Sequence, residues 1–233
     1  MATLIEVRNL HYRYEDGTAA LNGINFTLDA RETVALLGPN GSGKTTFALH
    51  LNGLLSGDGS VTVCGLPVNK QNASAVRRKI GLVFQDSESQ LFMPTVIDDV
   101  SFGPLNHGAD PPEAAKRALA ALQRVGMTSA AGKAPYHLSA GEKKRVAIAG
   151  VLAMEPEILV LDEPTTFLDP PAKRELASVL TELPQAKILI THDMAFAMNM
   201  CTRAVFFEKG RIAAEGTLED LMERFRWEFK APR

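Results

Sequence analysis

One stretch constrains this chain more than any other: Gly38-Pro39-Asn40-Gly41-Ser42-Gly43-Lys44-Thr45-Thr46. It follows the apolar run Val34-Ala35-Leu36-Leu37 and precedes Phe47-Ala48-Leu49-His50-Leu51, which reads as helix. Strand, glycine-rich loop and helix in that order make the spacing G-x-x-x-x-G-K-[ST] a phosphate cradle. Where Cβ atoms are missing, successive backbone N–H groups can turn inward on phosphate oxygens. The helix adds its unpaired N–H groups and the positive end of its dipole. Lys44 is then placed for the β- and γ-phosphates, and the Thr45 hydroxyl for Mg²⁺. The loop predicts a nucleotide and leaves open what the nucleotide is used for.

The rest of the chain must supply a sheet for that loop to grow from. At 233 residues, one large domain or two small lobes would fit. A formal net charge of −2 argues against a protein that holds nucleic acid through a basic field. Cys64 and Cys201 match no ligand or redox spacing and read as buried free thiols. The five histidines show no metal-binding spacing. Met1-Ala2-Thr3 leads straight into an alternating pattern rather than a signal peptide, and no apolar run is long enough to span a bilayer. The expectation is a cytoplasmic protein whose link to a membrane, if it has one, comes through a partner.

Alternation of apolar and polar residues predicts strands over Thr3 to Tyr14, with a hairpin turn at Asp16-Gly17, and over Ile24 to Leu28. Gly57-Asp58-Gly59 reads as a turn before a strand at Ser60 to Cys64, and Ile80 to Gln85 as a further strand. Asp110-Pro111-Pro112-Glu113 is a helix start, followed by helix to Val125. A second start at Leu138-Ser139-Ala140-Gly141-Glu142 leads into helix to Met154. From Ile158 strands and helices alternate: strand to Leu161, helix Pro170 to Leu183, strand Lys187 to Thr191, helix Asp193 to Cys201. A strand pair (Arg203 to Glu208, Ile212 to Glu215) and a helix from Thr217 to Phe225 close the chain. All-apolar strands alternating with helices imply a mostly parallel sheet covered on both faces, an α/β fold.

Two strand ends carry chemistry. Ile158-Leu159-Val160-Leu161 stops abruptly at Asp162-Glu163, and adjacent carboxylates at a sheet edge repel unless a cation occupies them. Asp162 is assigned toward Mg²⁺ through a water, and Glu163 toward the water that attacks the γ-phosphate. His192 ends the next strand, where open α/β sheets place ligands. There a neutral imidazole can bond a γ-phosphate oxygen or hold the attacking water. Ser139 and Glu142 are spaced as a capping box. That helix reads either as a capped surface helix with solvated Lys143, Lys144 and Arg145, or as an anion site for a phosphate delivered by another chain. Spacing does not choose between the two.

Taken together, the phosphate loop, Gln85 after a strand, Leu138 to Glu142, Asp162-Glu163, Leu168-Asp169 and His192 resemble the nucleotide-binding domain of ABC transporters across essentially the whole chain. The resemblance implies a P-loop core with an N-terminal antiparallel β lobe, spanning 1–85 and 155–233, and a helical subdomain at 86–154, within one domain of 1–233. It implies that Tyr14 stacks on adenine and that Gln85 senses Mg²⁺ and the attacking water. Ser139 and Gly141 would bind the γ-phosphate held by a second subunit, so that ATP closes a head-to-tail dimer, most simply of two identical chains, with Asp169 across the interface. Val83-Phe84-Gln85-Asp86-Ser87-Glu88-Ser89-Gln90-Leu91-Phe92, Thr95-Val96, 99–106 and 138–150 are similar to the ATPases of energy-coupling-factor importers of the cobalt and nickel type. That similarity implies an integral-membrane partner against Gln85 to Phe102 and a place on the cytoplasmic face of the membrane. Half or more of Leu91, Phe92, Val96 and Val100 are nevertheless expected in the core.

Ala140 and Glu142 depart from the usual Leu-Ser-Gly-Gly-Gln, and Phe167 stands where a small residue is usual. Glu142 keeps the cap and alanine leaves Ser139 open, so activity is expected to survive. A rival reading as a DNA-repair or chromosome ATPase needs a long coiled coil, and only 92 residues without heptads separate Thr46 from Ser139. Translation-factor ATPases carry two such domains per chain, and vitamin importers of the energy-coupling-factor type remain the alternative for the cargo.

Overall fold

The computed structural model describes residues 2–227. In chain order its elements are β1 (Thr3–Arg13), β2 (Ala19–Asp29), β3 (Thr33–Leu37), α1 (Lys44–Leu51), β4 (Asp58–Val63), β5 (Leu66–Pro67), α2 (Ala73–Lys79) and β6 (Ile80–Val83). There follow α3 (Val96–Asn106), α4 (Pro111–Arg124), α5 (Ala140–Leu152), β7 (Ile158–Asp162), α6 (Pro170–Glu182) and β8 (Ala186–Ile190). The last are α7 (Met194–Met198), β9 (Arg203–Glu208), β10 (Arg211–Gly216) and α8 (Leu218–Phe225).

These strands make an antiparallel sheet, β2-β1-β4-β5, and a six-stranded sheet, β10-β9-β3-β8-β7-β6, parallel except for the β9–β10 pair. The period of two along each central strand sorts its side chains into two cores. On β7, Leu159 and Leu161 join the cluster that contains Val100, Leu122, Ile148 and Leu180 from the helices. Ile158 and Val160 join Ile5, Leu28, Phe47 and Val63 from the β lobe and α1. Both faces are covered along Ile158 to Leu161, which is why β7 reads Ile-Leu-Val-Leu before it ends in the carboxylate of Asp162.

Parallel pairing also brings the loops to one edge. Leu36 and Asp162 are both in register with Ile190, and Val83 with Leu161. The segments leaving β3, β8, β7 and β6 therefore emerge side by side, at the carboxyl edge where open sheets bind ligands. Gly38 can leave β3 only as glycine: its φ is 128°, and a Cβ there would lie 2.1 Å from the Phe207 carbonyl oxygen of β9.

Several local expectations differ from the structure. Asp58 and Gly59 belong to β4, because β1 templates them (His11 faces Asp58). β6 stops at Val83, which frees Phe84 and Gln85 from the ladder. α7 covers only Met194–Met198. Two helices, α2 and α3, are not among the predicted elements: α3 contains Gly103 and Pro104, which point away from helix, yet starts on a Thr95 cap that accepts from the Asp98 N–H. Both cysteines are free but only half-buried, and burial pushes their thiols up to about 11 (Cys64) and about 12 (Cys201). Val96 and Val100 are fully buried, whereas Phe92 is 62% exposed, so half of that apolar set is core.

Candidate active site

A cavity of about 350 Å³ lies over the start of α1, lined by Asn40 to Thr46, Gln85, Asp162, Glu163, His192 and, at its outer rim, Tyr14. Lys44 is 6% exposed, and its Nζ donates to the carbonyls of Gly38 (2.6 Å) and Pro39 (3.0 Å). Burial pushes the ammonium below its usual range, while Glu163 and Asp162 pull the other way. Thr45 donates its hydroxyl to Asp162 Oδ2 at 2.9 Å, so a hydroxyl and a carboxylate face the cavity together. Burial raises the Asp162 carboxyl against the opposing pull of Thr45, Lys44 and Lys144.

Glu163 takes a left-handed backbone (φ 46°), a strained conformation for a residue with a Cβ, held by its N–H bond to the Ile190 carbonyl (2.8 Å). Its carboxyl is raised first by burial, while the His192 backbone N–H draws it back and Asp162 raises it further. Oε2 accepts that N–H at 3.3 Å, while Oε1 is buried without a hydrogen-bond partner. The His192 imidazole stands above it, Nε2 lying 3.0 Å from Asn40 Oδ1 and 3.4 Å from Glu163 Oε1. Burial and Lys44 lower the histidine, which favours the neutral ring. Ser42 Oγ is a second buried atom without a partner. A desolvated ammonium, a desolvated carboxylate pair and two unsatisfied polar atoms around one cavity fit a polyphosphate with a hard cation. Among the described residues no group of three or more His, Cys, Asp or Glu could hold a metal ion by itself. Thr45 and Asp162 thus suit Mg²⁺ only in company with phosphate oxygens and water.

The structure brings together Tyr14, Asn40 to Thr46, Gln85, Asp162, Glu163 and His192. Gly38 and Pro39 contribute carbonyls to Lys44 instead of lining the cavity. Tyr14, 39% exposed, hydrogen-bonds Thr46 Oγ1 through its hydroxyl (2.8 Å) and meets Tyr12 edge to face at 5.0 Å. Ser139, Gly141 and Asp169 are absent from the cavity wall. Ser139 is exposed and forms the expected capping box with Glu142, its N–H donating to Glu142 Oε2 at 2.8 Å. Asp169 caps α6 by accepting from the Ala172 N–H (2.8 Å).

One of the two sequence alternatives for α5 takes Lys144 as solvated. Lys144 is not solvated: it is 2% exposed, and its Nζ donates to the carbonyls of Gln85 (2.7 Å) and Phe84 (3.3 Å). It ties α5 to the segment that leaves β6. The available signal was helical spacing, since Lys144 precedes the buried Ala147 and Ile148 by three and four residues. Its neighbour Arg145 pairs with Glu175 at 3.1 Å.

A phosphate loop on a parallel sheet, with paired acids and a histidine on adjacent strand ends, defines a nucleotide-hydrolysing P-loop protein. The comparisons narrow this. Residues 21–166 match the ABC transporter family model. The energy-coupling factor transporter ATP-binding protein EcfA of Methanothermobacter thermautotrophicus is 47% identical over 92% of this chain and 71% of its own. The structure of cbiO1 from Clostridium perfringens, part of the ABC transporter complex cbiONQ, superposes with a TM-score of 0.87. It is 38% identical over 97% of this chain and 92% of its own. A dimeric, post-hydrolysis ATP-binding cassette bound to ADP and Pi gives a TM-score of 0.81, with 28% identity over 92% of this chain and 99% of its own. The chain belongs to the ABC transporter family, as an ATPase subunit that binds ATP and couples its hydrolysis to transport.

Proposed function

We propose that ATP closes two copies of this chain head to tail and that hydrolysis reopens them, driving a membrane partner that imports a divalent transition metal, cobalt or nickel. The observation that supports the dimer is the missing wall: the cavity is open, while Ser139, Ala140 and Asp169 stand exposed elsewhere on the same chain. A second copy would deliver Ser139 and Gly141 to the γ-phosphate, the positive end of α5 adding to the attraction, with Asp169 at the seam. A solved cassette to which this fold is similar is itself dimeric, which supports a pairing of two ATPase chains.

Within each site, Lys44 and the N–H groups of the loop bind the phosphates and Tyr14 stacks on the adenine. Glu163 polarises the attacking water and His192 contacts the γ-phosphate. Gln85 reports whether the site is filled. Thr45, Asp162 and Gln85 would hold Mg²⁺, which when bound neutralises charge on the phosphate oxygens. The whole of 1–233 works as one ABC ATPase domain, with 86–154 as the helical part that follows the nucleotide.

An exposed aromatic patch beside Gln85 supports a partner there. Phe92 (62% exposed) meets Phe102 edge-on at 5.0 Å, and Leu105 is 42% exposed. No described helix is long and apolar enough to cross a membrane; an integral-membrane protein docked on this patch would supply the membrane route. That docking puts the subunit on the cytoplasmic face, without a role for nucleic acid. Cobalt or nickel as cargo rests on the similarity of 83–106 and 138–150 to that subgroup. The test is affinity capture from detergent-solubilised membranes, with Phe92→Asp as control, followed by uptake assays with cobalt and nickel. Capture of integral-membrane proteins that Phe92→Asp loses, and ATP-dependent accumulation of one ion, is expected. Capture of DNA or ribosomes, or accumulation of a vitamin instead, contradicts the corresponding part of the reading.

A further inference from the structure

His192 has one more contact, and it comes from the far end of the described chain. Its ring stacks on the indole of Trp227, centroids 5.9 Å apart and planes 25° from parallel. Trp227 is itself held edge-on by Phe206 of β9 (5.4 Å, 82°), and Phe206 stacks face to face on Phe225 at 3.8 Å. The backbone turn behind this ladder is specific. α8 ends in a left-handed Arg226 (φ 48°), whose N–H donates to the Glu223 carbonyl, and the Trp227 N–H reaches back to Met222 at 2.9 Å. That pair of bonds is a Schellman closure, ordinarily built on glycine. Here an arginine accepts the left-handed conformation, and the turn brings Trp227 back onto Phe206 and His192. Phe206 lies one residue from Phe207, whose carbonyl packs against Gly38, so the ladder stands on the strand that also backs the phosphate loop.

We propose that Trp227 is a positioning residue for hydrolysis: its indole supports the open face of the His192 imidazole and keeps Nε2 between Asn40 and Glu163. His192 sits in a loop after β8 and has a side chain 39% exposed, so its reach to the cavity depends on what packs against the ring. On its cavity side, Asn40 and Glu163 supply polar contacts, and Trp227 supplies the apolar wall. The C-terminal turn thereby becomes part of the hydrolytic machinery, although no atom of it lines the nucleotide cavity. This inference rests on the reading of His192 as the γ-phosphate contact.

The test compares steady-state ATP hydrolysis by the full chain with Trp227→Ala, Trp227→Phe, His192→Ala and the double variant His192→Ala/Trp227→Ala. Trp227→Ala is expected to lower kcat about tenfold or more, the scale of a misplaced catalytic group, with KM for ATP changed less than about twofold. Trp227→Phe recovers most of that loss. In the His192→Ala background the second substitution has no further effect. Trp227 is the sole tryptophan, so its emission is a separate signal: it responds to ATP and Mg²⁺ in the wild type and loses that response in His192→Ala. A Trp227→Ala loss of equal size with and without His192 overturns the inference and assigns the residue to packing. An emission change that survives His192→Ala also counts against it, and this readout stands even if Trp227→Ala fails to fold. Wild-type hydrolysis by His192→Ala would instead remove the underlying reading of His192. An inactive His192→Ala beside a fully active Trp227→Ala would remove only the role of Trp227.

Discussion

Lys144→Met is the most informative single change in this molecule. The substitution keeps the length and apolar stem of a side chain that is 2% exposed and deletes only the ammonium. Two charge-assisted hydrogen bonds disappear, to Gln85 at 2.7 Å and Phe84 at 3.3 Å. Bonds to a charged group contribute about 1.5–3 kcal/mol each, the longer one less. Against this, burial already disfavours the cation and lowers its pKa, so the variant recovers part of the loss by removing a desolvated charge. The net expectation is a stability loss of only about 1–2 kcal/mol. The functional cost is of similar size but falls on catalysis, because Gln85 loses the anchor that fixes its backbone at the cavity. With Gln85 acting as proposed, kcat falls about tenfold, equivalent to about 1.4 kcal/mol of transition-state stabilisation, while KM for ATP moves less than twofold. Urea unfolding and a steady-state phosphate-release assay on the same preparation separate the two effects. If Lys144→Met hydrolyses ATP at the wild-type rate, the tether has no catalytic consequence and the reasoning fails. A loss above about 4 kcal/mol would mean that the ion organises the whole α5 interface.

Two further outcomes follow from buried or strained groups away from the nucleotide. Lys187 is 5% exposed, its ammonium donates to the carbonyls of Leu183 and Gln185, and burial pushes it down to about 8 from 10.5. Between those values the unfolded chain holds a proton that the folded chain has lost. The stability of the wild type relative to Lys187→Met should therefore rise with pH from about 8 to 10.5, by up to about 3 kcal/mol; a flat difference in paired urea titrations contradicts the burial argument. Phe167 is 85% exposed with φ 66°, so its ring gains little burial while its backbone is strained. Phe167→Gly should stabilise the isolated chain by about 0.5–1 kcal/mol, the left-handed penalty less the extra entropy of glycine; destabilisation in urea unfolding would show that the ring has a packing role in the monomer.

The sequence made the nucleotide half of the site legible because each part is local. Gly38 to Thr46 states its own backbone requirements, and Asp162-Glu163 interrupts a strand whose apolar run demands burial on both faces. The capping box at Ser139 was legible for the same reason: donor and acceptor lie three residues apart. What stayed hidden depends on long-range contact or on composition that points away from the outcome. Lys144 looked like one of three solvated basic residues until α5 packed against the end of β6. Trp227 meets His192 only because a left-handed arginine turns the chain back. α3 carries glycine and proline in its last turns and became helix through its Thr95 cap and the burial of Val96 and Val100. Gln85 leaves the sheet two residues earlier than strand propensity suggested, and that early exit allows it to reach the cavity.

The central claim is that each ATP site is split between two chains. The direct measurement is the molar mass of Glu163→Gln by light scattering with ATP and Mg²⁺, alone and combined with Ser139→Arg. For a chain of 25.2 kDa, the account predicts a stable species of about 50 kDa for Glu163→Gln, since a closed site that cannot hydrolyse ATP stays closed. The added Ser139→Arg returns it to 25.2 kDa while ATP stays bound. A Glu163→Gln chain that binds ATP yet remains at 25.2 kDa, or a dimer indifferent to Ser139, would contradict it.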